Sequence, residues 1–121
     1  MFSLNDSMHY YLCPGPTDMR KSFYTLSGLV TNNMGQDVQS GHVFIFINRK
    51  CNQMKILHAE EGGLVLYIKK LEAGTFKVPT YDEETRSFPM EWSDLVMLVK
   101  GIQSDPNSRK KRLQILRKTS V

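Results

Sequence analysis

The 121-residue chain has little of what marks a disulfide scaffold, a membrane protein or a familiar enzyme. It holds two cysteines, one tryptophan and five prolines. Two cysteines are too few to staple a fold, and Cys13 and Cys51 are expected to be free, mostly structural thiols. No run of about 18 apolar residues is present, which excludes a single-pass apolar helix. The opening MFSLNDSMHYYL carries Asp6 where a secretory leader carries positive charge, so a soluble, cytoplasmic protein is expected. His9, His42 and His58 contain no pair spaced as in H-x-x-x-H, and the cysteines form no C-x-x-C, so a zinc set is not indicated. G-x-S-x-G, the phosphate-cradling Walker glycine loop and the dinucleotide fingerprint are all missing. No cofactor and no metal is expected.

Charge is present, and it is unevenly placed. Sixteen Lys and Arg against twelve Asp and Glu give a net +4. Residues 1–105 contain all twelve acids and ten of the bases, about −2, whereas residues 106–121 contain six bases and no acid. The expected organisation is therefore one domain over 1–105 and a basic tail over 106–121, disordered or helical on binding. Leu113, Ile115 and Leu116 offer too little apolar area for that tail to fold alone.

Tyr10–Leu12 reads as a short strand running into Cys13-Pro14-Gly15-Pro16, where missing donors and a flexible glycine stop regular structure. Thr17 or Asp18 can cap a helix over about Met19–Asn33, since Met19, Phe23, Leu26 and Val30 recur at helical spacing and Gly35 follows. HVFIFIN from His42 is apolar on both faces, the mark of a covered central strand. Arg49–Gln53 is a polar connection, Met54–Ala59 returns as the second arm of a hairpin, and Glu60-Glu61-Gly62-Gly63 turns into a strand LVLYIKK. Short strands are expected at Phe76–Val78 and Arg86–Phe88, separated by an acidic loop. Trp92, Leu95, Val96, Leu98 and Val99 give a second helix, with Glu91 or Ser93 at its start and Lys100-Gly101 at its end. The fold class is α+β: one small domain, a mostly antiparallel sheet and two helices.

Several groups carry candidate chemistry, each with a plainer explanation beside it. Arg109, Lys110, Lys111, Arg112, Arg117 and Lys118 make a cationic arm able to displace counterions from nucleic acid, with a salt slope near −5 if all six engage; a merely solubilising tail is the alternative. Thr17–Lys21 at a helix start can hold a phosphate, although capping alone explains it more cheaply. Phe44 and Phe46 followed by Arg49 and Lys50 look superficially like an RNA-stacking strand, but the basic-Gly-aromatic opening is absent and core packing accounts for both rings. Asp18, Glu60, Glu61 and Glu72 are conceivable magnesium ligands of a nuclease, though nothing in the sequence makes them converge.

As an ordered set the motifs are more specific. Gly15-Pro16-Thr17-Asp18-Met19-Arg20-Lys21, Ser40-Gly41-His42-Val43-Phe44-Ile45-Phe46, Lys55-Ile56-Leu57 and Gly63-Leu64-x-Leu66-Tyr67-x-Lys69-Lys70-Leu71-Glu72-x-Gly74-x-Phe76 are followed by Leu95, Leu98, Gly101 and Ile102. Together they resemble the TnpB-type accessory protein, the Orf-two product, of insertion sequences of the sixty-six family. The likeness covers about residues 10–102. It departs at Ser22, where glycine commonly follows the lysine, and at His58–Glu61, where an aromatic-Asp-Gly turn is usual.

The resemblance implies a non-catalytic helper in DNA transposition, encoded beside a separate transposase that cuts and joins the DNA. It raises Thr17, Asp18, Arg20, Lys21, Lys55, Lys69 and Lys70 to candidate contacts with DNA or with that transposase. The expected partners are the transposase of the same element and DNA, with no membrane. Two alternatives stand beside it: a metal-dependent nuclease using Asp18, Glu60 and Glu61, and a purely protein-binding adaptor.

Overall fold

A computed structural model of the chain describes residues 4–82 and 84–100. Among these residues five strands form one sheet: β1 (Tyr10–Leu12), β2 (Val43–Ile47), β3 (Gln53–Glu60), β4 (Gly63–Lys70) and β5 (Phe88–Met90), in the spatial order β4-β3-β2-β1-β5. The helices are α1 (Phe23–Asn32) and α2 (Trp92–Val99), with a short 3-10 turn at Val38–Ser40. Three pairings are antiparallel; β1 with β2, joined through α1, is parallel. The expected α+β class with a mostly antiparallel sheet and two helices is what the chain adopts.

β2 is central, and all five of its residues are buried. Alternation along it feeds two cores. Val43, Ile45 and Ile47 join Tyr10, Leu12, Met54, Ile56 and the α2 residues Leu95 and Leu98 on one face. Phe44 and Phe46 join Leu57, the α1 residues Leu26 and Val30, and Met34 just beyond that helix, on the other. The helices thus cover opposite faces, which is why HVFIFIN shows no polar side. Each fully buried large apolar side chain contributes roughly 1.5–3 kcal/mol.

The β3–β4 hairpin closes as its sequence suggests. Glu60 pairs with Gly63, and the two residues between, Glu61 (φ 41°) and Gly62 (φ 83°), are both left-handed, the twist a two-residue hairpin needs. β5 is a short edge strand, where Pro89 opposite Tyr11 is tolerated.

Three expected boundaries are corrected. Helix α1 begins at Phe23, not Met19. The Thr17 amide is taken by Ile47 O of β2 (2.8 Å), and Asp18 Oδ1 accepts from the Arg20 amide (2.9 Å), so one tertiary and one local bond hold residues 17–21 as a turn before Ser22 caps the helix. No strand forms at 76–78. Instead the Phe76 amide donates to Cys51 O (2.6 Å) and its ring, 2% exposed, plugs the α2-side core. The last strand lies at Phe88–Met90 rather than Arg86–Phe88, because Arg86 is drawn to the end of α1. There its guanidinium donates to Asn33 O (3.2 Å) and Asn32 O (3.1 Å), favourable against the negative end of the helix dipole.

From β4 at one edge the chain returns to β5 at the opposite edge through residues 71–87. This strap is pinned by Leu71 N to Asn52 O (2.8 Å), by Phe76 to Cys51, and by Tyr81, whose hydroxyl accepts from the Gly15 amide.

Candidate nucleic-acid and partner interface

Because β1 and β2 run parallel, the loops that follow them emerge at the same end of the sheet. The β1 loop is stitched to β2 by Cys13 N to Ile45 O and Thr17 N to Ile47 O, both 2.8 Å. The turn after β2 is built around Asn48. Its Oδ1 accepts from the amides of Asn52 and Gln53 at 3.0 Å, and its Nδ2 donates to Asn52 Oδ1 at 2.7 Å. An open cleft lies between the two loops, lined by Pro16, Thr17, Asp18, Met19, Asn48, Arg49, Lys50 and Gln53.

Asp18 and Arg20 form a two-pronged pair at the mouth of this cleft, with Arg20 Nη2 2.6 Å and Nε 3.0 Å from Asp18 Oδ2. The Arg20 side chain is 91% exposed, so in water the pair adds little stability. Hydrogen bonds from Arg20, side chain first and amide second, hold the Asp18 carboxyl down at about 2. Among the described residues Nη1, on the other edge of the guanidinium, has no hydrogen-bond partner.

Lys55 behaves differently from the other candidate cations. It sits within β3, 8% exposed, and its Nζ donates to Lys21 O at 2.6 Å. It holds the Thr17–Lys21 loop rather than facing solvent. Lys69 and Lys70 diverge as neighbours on a strand must. Lys69 points to the α2 face and donates to Val99 O at that helix's C-terminal end. Lys70 is exposed and pairs in register with Gln53, a residue of the cleft.

Of the candidates taken from the sequence, Thr17, Asp18, Arg20 and Lys21 are together, Lys55 supports them from beneath, Lys70 lies beside them and Lys69 does not. Two cations were not on that list. Arg49 and Lys50, both exposed, project from the β2–β3 turn across the cleft from Asp18. The signal that finds them is the strand–helix–strand order: a parallel pair places both following loops at one end. Arg20, Lys21, Arg49, Lys50 and Lys70 thus gather about one sheet end, with Asp18 and Glu72 as the nearby acids. Arg109, Lys110, Lys111, Arg112, Arg117 and Lys118, and the boundary expected at residue 105, lie outside the described residues.

The carboxylates of the nuclease alternative are separated. Asp18 lies by the Gln53 end of β3 and Glu60 and Glu61 by the other, about 23 Å away at strand rise. Glu60 instead accepts from the buried His58, Nδ1 to Oε1 3.0 Å, while His58 Nε2 faces Gly41 O at 3.1 Å. Among the described residues no group of three His, Cys, Asp or Glu is placed to hold a metal ion. Phe44 and Phe46 are wholly buried, so neither offers a face to a base. Cys13 and Cys51 are both free, and burial pushes the Cys13 thiol up. No helix among the described residues is long and apolar enough to cross a membrane.

Comparison with known proteins adds to this geometry. A family model described as IS66 Orf2 like protein matches residues 8–109. An uncharacterized protein y4jC of Sinorhizobium fredii is 30% identical over 107 residues, covering 88% of this chain and 86% of the relative. A second protein of that organism, y4hO, also uncharacterized, is 26% identical over 102 residues, covering 84% and 87% respectively. No solved structure matches the chain.

Proposed function

The chain belongs to the IS66 Orf2-like protein family, and from that premise we propose that it is a non-catalytic accessory protein that binds DNA, the transposase of its element, or both. Membership implies an accessory role in transposition. The finer reading is that cytoplasmic residues 1–105 act as the docking domain and residues 106–121 as a cationic arm. The observation that carries it is the gathering of Arg20, Lys21, Arg49, Lys50 and Lys70 around two loops at one end of the sheet.

Such a surface suits phosphate oxygens, which position a protein on DNA without reading its sequence. Choice of site then falls to the transposase. The nuclease alternative loses its support, since Asp18 and the Glu60–Glu61 turn stand at opposite strand ends.

The test is fluorescence anisotropy of labelled element-end DNA across a salt series. It compares the native chain with Arg49→Gln/Lys50→Gln and with a variant in which Arg109, Lys110, Lys111 and Arg112 are all Gln. Binding should weaken in both, and the salt slope should flatten by about 0.9 for each phosphate contact removed. Absence of binding by the native chain even at low salt removes DNA from the proposal. In that case, co-purification of the transposase with the native chain, lost in the loop variant, is what the adaptor form requires.

A further inference from the structure

β4 is an edge strand whose only charged side chains are Lys69 and Lys70 at its very end. Its eight residues run in register along β3, and among the described residues no strand pairs with its outer side. Edge strands are ordinarily kept from pairing by brevity, by lysines and other charges, by proline or by bulges, and here such charge is confined to the last two residues. The stretch Leu64-Val65-Leu66-Tyr67-Ile68 contains no charge and no proline, and Ile68 is 64% exposed.

The hairpin geometry says which backbone groups face outward. Glu60 and Gly63 close a two-residue turn, so the pairs bonded to β3 fall at Gly63, Val65, Tyr67 and Lys69. The amides and carbonyls of Leu64, Leu66, Ile68 and Lys70 therefore point away from the sheet.

We propose that this edge is a homodimer interface, in which β4 pairs antiparallel with β4 of a second copy about a two-fold axis at Leu66. Only residues with outward-facing groups can bond to one another, and centring on Leu66 sets Leu64 against the partner's Ile68 on both sides of the axis. The strand is self-complementary in that direction alone. Exposed Glu61 lies at one end and exposed Lys70 at the other, so antiparallel pairing brings each beside its opposite and parallel pairing brings like charges together. The chain's own residues 106–121 suit this edge poorly, since their six bases and no acid would lie against Lys69 and Lys70. An isologous patch of this kind closes as a dimer, with only the three-residue, proline-containing β5 strands left at the outer edges of the joined sheet.

Sedimentation equilibrium of the full chain tests the proposal. The native chain should fit a monomer–dimer equilibrium in the micromolar range, and Ile68→Lys, at an exposed position the monomer fold does not need, should raise the dimer Kd more than about tenfold. Lys70→Glu should weaken the dimer, and Lys70→Glu combined with Glu61→Lys should restore it. Leu66→Cys should form an intermolecular disulfide on mild oxidation where the native chain does not, because hydrogen-bonded antiparallel partners have Cα atoms about 5.5 Å apart. A native chain that stays monomeric at high micromolar concentration overturns the proposal. A dimer indifferent to Ile68→Lys, a charge swap that fails to restore pairing, or no disulfide from Leu66→Cys does so as well.

Discussion

The ammonium of Lys55, buried within β3, is bonded to the backbone carbonyl of Lys21 at 2.6 Å, tying the loop before α1 to the sheet beneath it. Lys55→Met keeps the stem and deletes the donor. Leaving the carbonyl without its partner costs about 1–3 kcal/mol. Thermal unfolding should move down by about 4–8 °C per kcal/mol lost, and amides of residues 17–21 should exchange faster than those of β2. Unchanged exchange in that loop would show that Lys55 does not anchor it.

Gly35 and Arg86 are coupled at the other end of α1. Gly35 has φ +64°, and a Cβ there would sit 3.1 Å from Arg86 Nη1. Gly35→Ala should destabilise by about 1–2 kcal/mol from backbone strain alone, with an added share from the guanidinium. In an Arg86→Ala background that added share should vanish, so urea midpoints of the two singles and the double should be non-additive. Strict additivity would mean the contact carries no energy.

The thiols should differ in reactivity. Cys13 is buried with its thiol pushed up, and Cys51 is half-buried on a turn. Iodoacetamide on the native protein at mildly alkaline pH should label Cys51 first, as read by peptide mass spectrometry. Preferential labelling of Cys13 would contradict this packing.

Asp18 sets an acid limit for its loop. Its carboxyl is held at about 2 against an ordinary 3.8, so whatever the Arg20 pair contributes is fully present above about pH 3.8 and is lost as pH falls through about 2. An NMR titration of the Asp18 side-chain carboxyl should give a midpoint near 2, returning toward the ordinary value in Arg20→Gln. The same midpoint in both proteins would assign the shift elsewhere.

Much of the fold could be read from the sequence where local pattern and tertiary demand agree. HVFIFIN lacks a polar side because both helices cover it, and Glu61-Gly62 turns because two left-handed residues are wanted there. The turn at residues 17–21 is hidden from local pattern, because helical spacing from Met19 cannot reveal that Ile47 takes the Thr17 amide. Phe76 is hidden for a related reason: an isolated aromatic between turns resembles an edge strand, and only the folded chain shows the core it packs into. Of the site, the Thr17–Lys21 block was visible as a motif. Arg49 and Lys50 were not, since their part depends on the parallel β1–β2 pairing, which arises from long-range order.

The placement of β1 also governs the order in which the molecule can be assembled. β2, β3 and β4 are joined by short turns and can zip together as soon as they are made, whereas β1 waits for β2 on one side and on the other for β5, which brings Met90 to Tyr10. On the ribosome β1 is made before all of its partners yet is among the last of these strands to be enclosed, and its apolar residues stay open until β5 has emerged. Pulse-labelled hydrogen exchange during refolding should protect β3 and β4 amides before those of β1. Early protection of β1 would place the nucleus elsewhere.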